Sequence, residues 1–171
     1  MNLSQLTKKA INQKGIYFVS SRTEKIRSAS SAIMKLLSNK SGVYVSTFGS
    51  YGAFLSAMKL SKINPLKIMC VDTSGAESKN TKNYRAVNSK SLTELSIIIT
   101  SLMQSSKFDF LVMDSVESLL IHNEAEVVER FLSFIVNKMR YFGISCIFVC
   151  SNEKSRVSNV LLTVCDETIR V

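Results

Sequence analysis

Five short apolar runs set the limits on what this chain can fold into: GIYFVS (15–20), GVYVST (42–47), KIMCVD (67–72), FDFLVMD (108–114) and ISCIFVCS (144–151). Each is rich in β-branched and aromatic residues and apolar at successive positions. Strands of that kind are buried on both faces, as in a parallel sheet held between layers of helices. The segments between them have helical period. In 23–38, Ile26, Ala29, Ile33, Leu36 and Leu37 form an apolar side, and in 50–62 Phe54, Leu55, Met58 and Leu60 do so. The segment 91–105 opens on Ser91 and Glu94, the spacing of a capping box. In 124–141, Val127, Val128, Phe131, Phe134, Ile135 and Met139 make one stripe, and Gly143 stands where a helix C-cap belongs. The alternation predicts an α/β fold: a three-layer, doubly wound, mainly parallel sheet.

The chain reads as one domain, with residues 1–14 as an N-terminal helix packing Leu3, Leu6 and Ile11 on the sheet edge and 15–171 as the core. The tail from 156 reads as a short helix and an edge strand. No run is long enough to span a bilayer, and the first residues hold no apolar core of signal-peptide length. The expectation is a cytoplasmic protein without a membrane partner.

The net charge of +9 is unevenly spread. Residues 1–90 hold 15 Lys/Arg against 3 Asp/Glu, and residues 91–171 hold 7 against 10, a balance of +12 followed by −3. A basic half attracts polyanions, nucleic acid first among them. The candidate contacts are Lys8, Lys9, Lys14, Arg27, Lys79, Lys82 and Arg85, with Tyr84 available for base stacking. The plain alternative is a set of solvated helix faces that use Lys in place of Glu. The four cysteines form no C-x-x-C pair. Cys146 and Cys150 share one strand about 13 Å apart, too far for one metal or a disulfide. A single histidine, His122, leaves no His-rich metal site. Neither a metal nor a cofactor is expected.

In doubly wound sheets ligands bind beyond the C-terminal strand ends. The first strand ends in SSRTEKIRS (20–28), which contains no glycine and no Lys-Ser or Lys-Thr pair. A phosphate cradle needs converging backbone N–H groups, in torsions that glycine adopts cheaply. Arg22, Thr23 and Lys25 are what remains to meet an anion. The second strand ends in STFGSYGAF (46–54), without a carboxylate. The third ends on Asp72, and the fourth on Asp114 and Ser115, where an aspartate can orient water around a cation.

With those motifs the chain resembles the RecA-like core of the KaiC/RecA branch of P-loop ATPases, found in many archaeal proteins, over about residues 14–171. GIYFVS is similar to the strand before the phosphate loop, FDFLVMDSVESLL to the Walker B strand with its Asp-Ser pair at Asp114 and Ser115, and DETIRV to the closing strand. The resemblance implies a nucleotide site at the first strand tip and a catalytic glutamate after the second. Here the glycine-rich Lys-Thr/Ser loop is missing, and Thr47, Phe48, Gly49 and Ser50 stand at the glutamate's place. The expectation is a pseudo-ATPase with no catalytic residues and a vestigial pocket of Arg22, Thr23, Lys25, Asp72, Asp114 and Ser115. Such a protein would act by contact with a protein partner, a second copy or an active RecA-like relative. Nucleic-acid binding, and after it weak nucleotide turnover, are the alternatives.

Overall fold

The computed structural model describes residues 3–47, 50–74, 80–105, 107–151 and 155–171, leaving the side chain of Thr23 outside. All five apolar runs are strands: β1 (Ile16–Ser20), β2 (Gly42–Ser46), β3 (Ile68–Asp72), β5 (Phe110–Asp114) and β6 (Ser145–Cys150). A short β4 (Tyr84–Ala86) and β7 (Glu167–Arg170) complete one sheet in the order β4-β3-β2-β5-β6-β1-β7, with every pair parallel. The helices are α1 (Leu3–Asn12), α2 (Ile26–Leu36), α3 (Tyr51–Leu60), α4 (Leu92–Gln104), α5 (Ala125–Phe142) and α6 (Arg156–Val164).

Side chains alternate across a strand, so each strand feeds two cores. Tyr17, Val19, Phe110, Val112, Ile147 and Val149 face α1, α2 and α3. Ile16, Phe18, Leu111, Met113, Cys146 and Phe148 face α4, α5 and α6. The same parity places Tyr44, Ser46, Asp72 and Asp114 on the α1–α3 side, and this positions the candidate site.

Local chemistry sets the helix ends. Ser91 accepts a hydrogen bond from the Glu94 amide at 3.2 Å, and Ser155 one from the Ser158 amide at 3.1 Å. Gly143 ends α5 at φ 63°, a left-handed conformation that a side chain would strain. Gly42 pairs with Phe110, whose ring lies where a Cβ on Gly42 would stand, 2.2 Å from ring carbons.

Several expectations are corrected. α1 does not lie on the sheet edge. It packs on the face over β1 and β6 and against α2, with Leu6 fully buried and the Ser145 hydroxyl bonded to the Ala10 carbonyl. The expected apolar stripes are also too wide. Leu36, Leu55, Leu60, Val127 and Phe134 are exposed, because each is turned away from the residues that seat its helix. α3 is held by Phe54 and Met58, and α5 by Val128, Phe131, Leu132, Ile135, Val136 and Met139.

Candidate functional site

At the C-terminal ends of β2 and β5, Ser46 stands beside Asp114, and the Thr47 amide donates to the Asp114 carbonyl at 2.8 Å. The Tyr44 hydroxyl donates to Asp114 Oδ2 at 2.6 Å. Beyond them α2 and α3 stand apart, leaving a cleft of about 760 Å³. Its walls are mainly apolar, with Met34 from α2 and Phe54, Ala57 and Met58 from α3, and carry the hydroxyls of Ser30, Ser31 and Ser56. Its floor is polar and contains Tyr44, Ser46 and Asp114, and Glu24 from the turn before α2 and Arg27 from its first turn line it as well. Tyr44 is held by stacking on Phe54, with ring centroids 5.2 Å apart.

Burial raises the Asp114 carboxyl above the ordinary carboxylate range. Hydrogen bonds from Tyr44 and Ser30 and the Arg27 charge act against that rise, and Glu117 adds to it. Burial, followed by the nearby Asp114 charge, also raises the Tyr44 hydroxyl well above its usual value, so it remains a donor. Glu117 ties the tips of β5 and β6 together. It accepts from the Ser115 hydroxyl at 2.7 Å, from the Ser151 hydroxyl at 2.8 Å and from the Ser151 amide. The Thr47 hydroxyl donates to the Ser115 carbonyl, and the Asp114–Ser115 peptide is cis.

The turn from β1 to α2 is short, a single 3₁₀ turn over Thr23–Lys25. Two of its amides are committed to protein carbonyls: Ser21 N–H to Cys150 at 2.9 Å and Lys25 N–H to Arg22 at 2.8 Å. Arg22 and Lys25 point into solvent.

The residues expected to share a pocket do not all meet. Asp114 and Ser115 line the cleft, whereas Arg22, Lys25 and Asp72 are not part of its lining. Asp72 lies two strands from Asp114, roughly 10 Å across the sheet. It is fully buried and accepts from the Ser74 amide at 2.7 Å and the Tyr84 hydroxyl at 3.2 Å, so it fixes the end of β3. Tyr84 is therefore not available for base stacking. It is fully buried in β4 with its ring 4.3 Å from that of Tyr51. Arg85 is bonded to the Tyr84 carbonyl at 3.0 Å. Lys9 pairs with Glu167, and Lys14 reaches the Asp109 carbonyl at 3.3 Å. Lys8, Arg27 and Lys82 are exposed, and Lys79 lies outside the described residues. The charge asymmetry has become an asymmetry of layers. α1, α2 and α3 carry Lys8, Lys9, Arg27, Lys35 and Lys59 and no acidic residue, while α5 begins among Glu124, Glu126 and Glu129.

Among the described residues no cluster of three or more His, Cys, Asp or Glu side chains is placed to hold a metal, and no helix is long and apolar enough to cross a membrane. Burial pushes the thiols of Cys146 and Cys150 well up and that of Cys165 to about 12, which leaves them unreactive.

No protein-family model matches the sequence, and no curated protein matches it. Solved structures do. A KaiC-like protein of the hyperthermophilic archaeon Pyrococcus horikoshii superposes with a TM-score of 0.68 over 92% of this chain and 71% of that one, at 14% identity. The fold is KaiC-like. At that identity the likeness concerns the fold alone, and a KaiC-like sheet does not carry an activity with it. The Tyr44–Asp114 pair and the cleft are features that sequence reasoning missed. The one available signal was a tyrosine among aliphatic residues in β2, two positions from the strand end.

Proposed function

We propose that this chain is a non-catalytic KaiC-like domain that acts as a regulatory or scaffold protein through protein contacts, without hydrolysing ATP. The observation that carries this reading is the β1–α2 turn. It has no glycine, and the amides of Ser21 and Lys25 already serve protein carbonyls. A triphosphate there would lose several charge-assisted hydrogen bonds, each worth about 1.5–3 kcal/mol. Losing two or three of them moves a micromolar site to roughly millimolar or beyond. The run 45–52 also lacks a carboxylate to activate water, and the Thr47 hydroxyl is engaged with Ser115.

Support for a protein partner comes from α5. Val127, Phe134 and Tyr141 recur every seven residues and are 37%, 42% and 82% exposed. Apolar side chains spaced along one helix face suit another helix or sheet. A second copy and an active RecA-like relative are the partners this reading favours. Isothermal titration with ATP-Mg²⁺ tests it. The expected result is no saturable heat below about 1 mM and no phosphate release. Binding tighter than about 100 µM with turnover refutes it.

One observation favours a second reading, polyanion binding: the acid-free layer of α1, α2 and α3. Nucleic acid would meet Lys8, Arg27, Lys35 and Lys59 there.

A further inference from the structure

The cleft between α2 and α3 is not used by the scaffold reading, and its chemistry is specific enough to name a ligand class. We propose that it binds a small amphiphilic cation, a protonated amine on an apolar body, with the amine on Asp114 and the body between the two helices.

Size is the first argument. At about 760 Å³ the cleft lies within the roughly 300–1,000 Å³ of small-molecule sites. Wall chemistry is the second. Met34 lines the cleft from α2, and Phe54, Ala57, Met58 and Leu60 line it from α3. Met34, Phe54 and Met58 are buried, with Phe54 stacked on Tyr44 and Tyr51, so the apolar surface open to a guest is that of Ile26, Ala53, Ala57 and Leu60. The third argument is the sign of the interior charge. Asp114 sits on the floor, oriented by the Tyr44 hydroxyl at 2.6 Å, and Glu117 lies behind it against Ser115 and Ser151. Glu24, in the turn before α2, and Arg27, in the first turn of α2, also line the cleft, and the Arg27 charge acts on Asp114 from one side. A carboxylate in an apolar chamber is compensated best by a cation that brings its own hydrogen-bond donors, and an ammonium does this. A phosphate or carboxylate head would meet Asp114 with like charge.

The walls also select among amines. A bare polyamine has no apolar body to displace water from Ile26, Ala57 and Leu60, and a neutral apolar molecule brings no charge to Asp114. The ligand needs both parts, joined by a spacer that reaches from the floor to the α2–α3 gap.

The test is a fluorescence titration of the full chain with two probes that share one fluorophore: dansylcadaverine, which ends in a primary ammonium, and dansylglycine, which ends in a carboxylate. Dansylcadaverine should show saturable one-to-one binding with blue-shifted emission, at least tenfold tighter than dansylglycine. Asp114→Asn should bring the two affinities together. Ala57→Phe, which fills the cleft from α3, should weaken both probes at least tenfold while its urea midpoint stays close to the parent's. Equal affinity of the parent for both probes overturns the proposal. So does a preference unchanged in Asp114→Asn, binding indifferent to Ala57→Phe, or displacement of dansylcadaverine by sub-millimolar ATP-Mg²⁺. Only the last of these also bears on the non-catalytic reading, so the two fail separately.

Discussion

Tyr44→Phe removes one oxygen and keeps the ring that stacks on Phe54. The oxygen donates to Asp114 Oδ2 at 2.6 Å, the length of a hydrogen bond to an ionised carboxylate. Such bonds contribute about 1.5–3 kcal/mol, and a neutral one about 0.5–1.5. Asp114 borders an open cleft, so the lower half of the charged range applies, and the expected loss at neutral pH is about 2 kcal/mol. The loss must depend on pH. Burial already holds the Asp114 carboxyl above its unfolded value, and Tyr44 is among the groups that pull it down. Without that donor the carboxyl rises further, and the native state keeps a proton that the unfolded state has lost. Stability then falls more steeply as pH rises from the ordinary carboxylate range, near 3.9, through the raised native value. Below that window Asp114 is neutral in both states and the loss shrinks to about 1 kcal/mol. Urea unfolding of parent and variant at about pH 3 and pH 8 measures the difference, with an unchanged denaturant slope as the check that both remain two-state. A loss equal at the two pH values, or below about 0.5 kcal/mol at both, refutes the pairing.

Gly42→Ala should destabilise by about 1–3 kcal/mol, because the new methyl meets the buried Phe110 ring, whereas glycine to alanine at an unobstructed site gains about 0.4–1. Adding Phe110→Leu should recover part of that loss, and a double-mutant cycle by urea unfolding reads the coupling. If the α1–α3 layer binds nucleic acid, fluorescence polarisation with a labelled duplex will show affinity falling steeply with salt, and Lys35→Glu with Lys59→Glu will flatten the slope; no binding at low salt removes that reading. If α5 is the partner surface, Phe134→Ser with Tyr141→Ser will lower the mass measured by light scattering on a self-associated parent, or abolish capture of an active RecA-like relative, without changing the unfolding midpoint; unchanged association removes α5 from the interface.

The five inner strands were legible because each is a short run apolar on both faces and rich in β-branched and aromatic residues. Helix positions were legible and helix faces less so. Leu55 follows Phe54 in sequence but lies about 100° around the helix, so adjacency in an apolar cluster misassigned it, as it did Leu36 and Val127. Asp114 was legible as the polar end of a hydrophobic strand. The cleft was not, since it arises from the separation of α2 and α3, which no local pattern encodes. Tyr84 was misread for a related reason. A tyrosine in a polar stretch looks accessible until its pairing with β3 turns it under Tyr51.

Asp72 and Asp114 end β3 and β5, the strands on either side of β2, on the same face of the sheet, and they ought to respond to the same substitution with opposite signs. Asp72 is enclosed, and each of its oxygens has a donor: the Ser74 amide on one and the Tyr84 hydroxyl on the other. Asp72→Asn puts an NH₂ opposite one of those donors, an unsatisfied buried pair costing about 1–3 kcal/mol. Asp114 is raised by burial, so at neutral pH its charge is held against the preference of the site. Asp114→Asn removes that charge and keeps an oxygen to accept from Tyr44, so the variant should be more stable than the parent at neutral pH. The gain should vanish as pH falls below the ordinary carboxylate range, where the parent's Asp114 is neutral in both states. Urea unfolding of both variants across that range decides the matter, and a destabilised Asp114→Asn at neutral pH would mean that the carboxylate is structural. A stabilised one means that the fold carries this charge at a cost, and a cation entering the cleft offsets that cost.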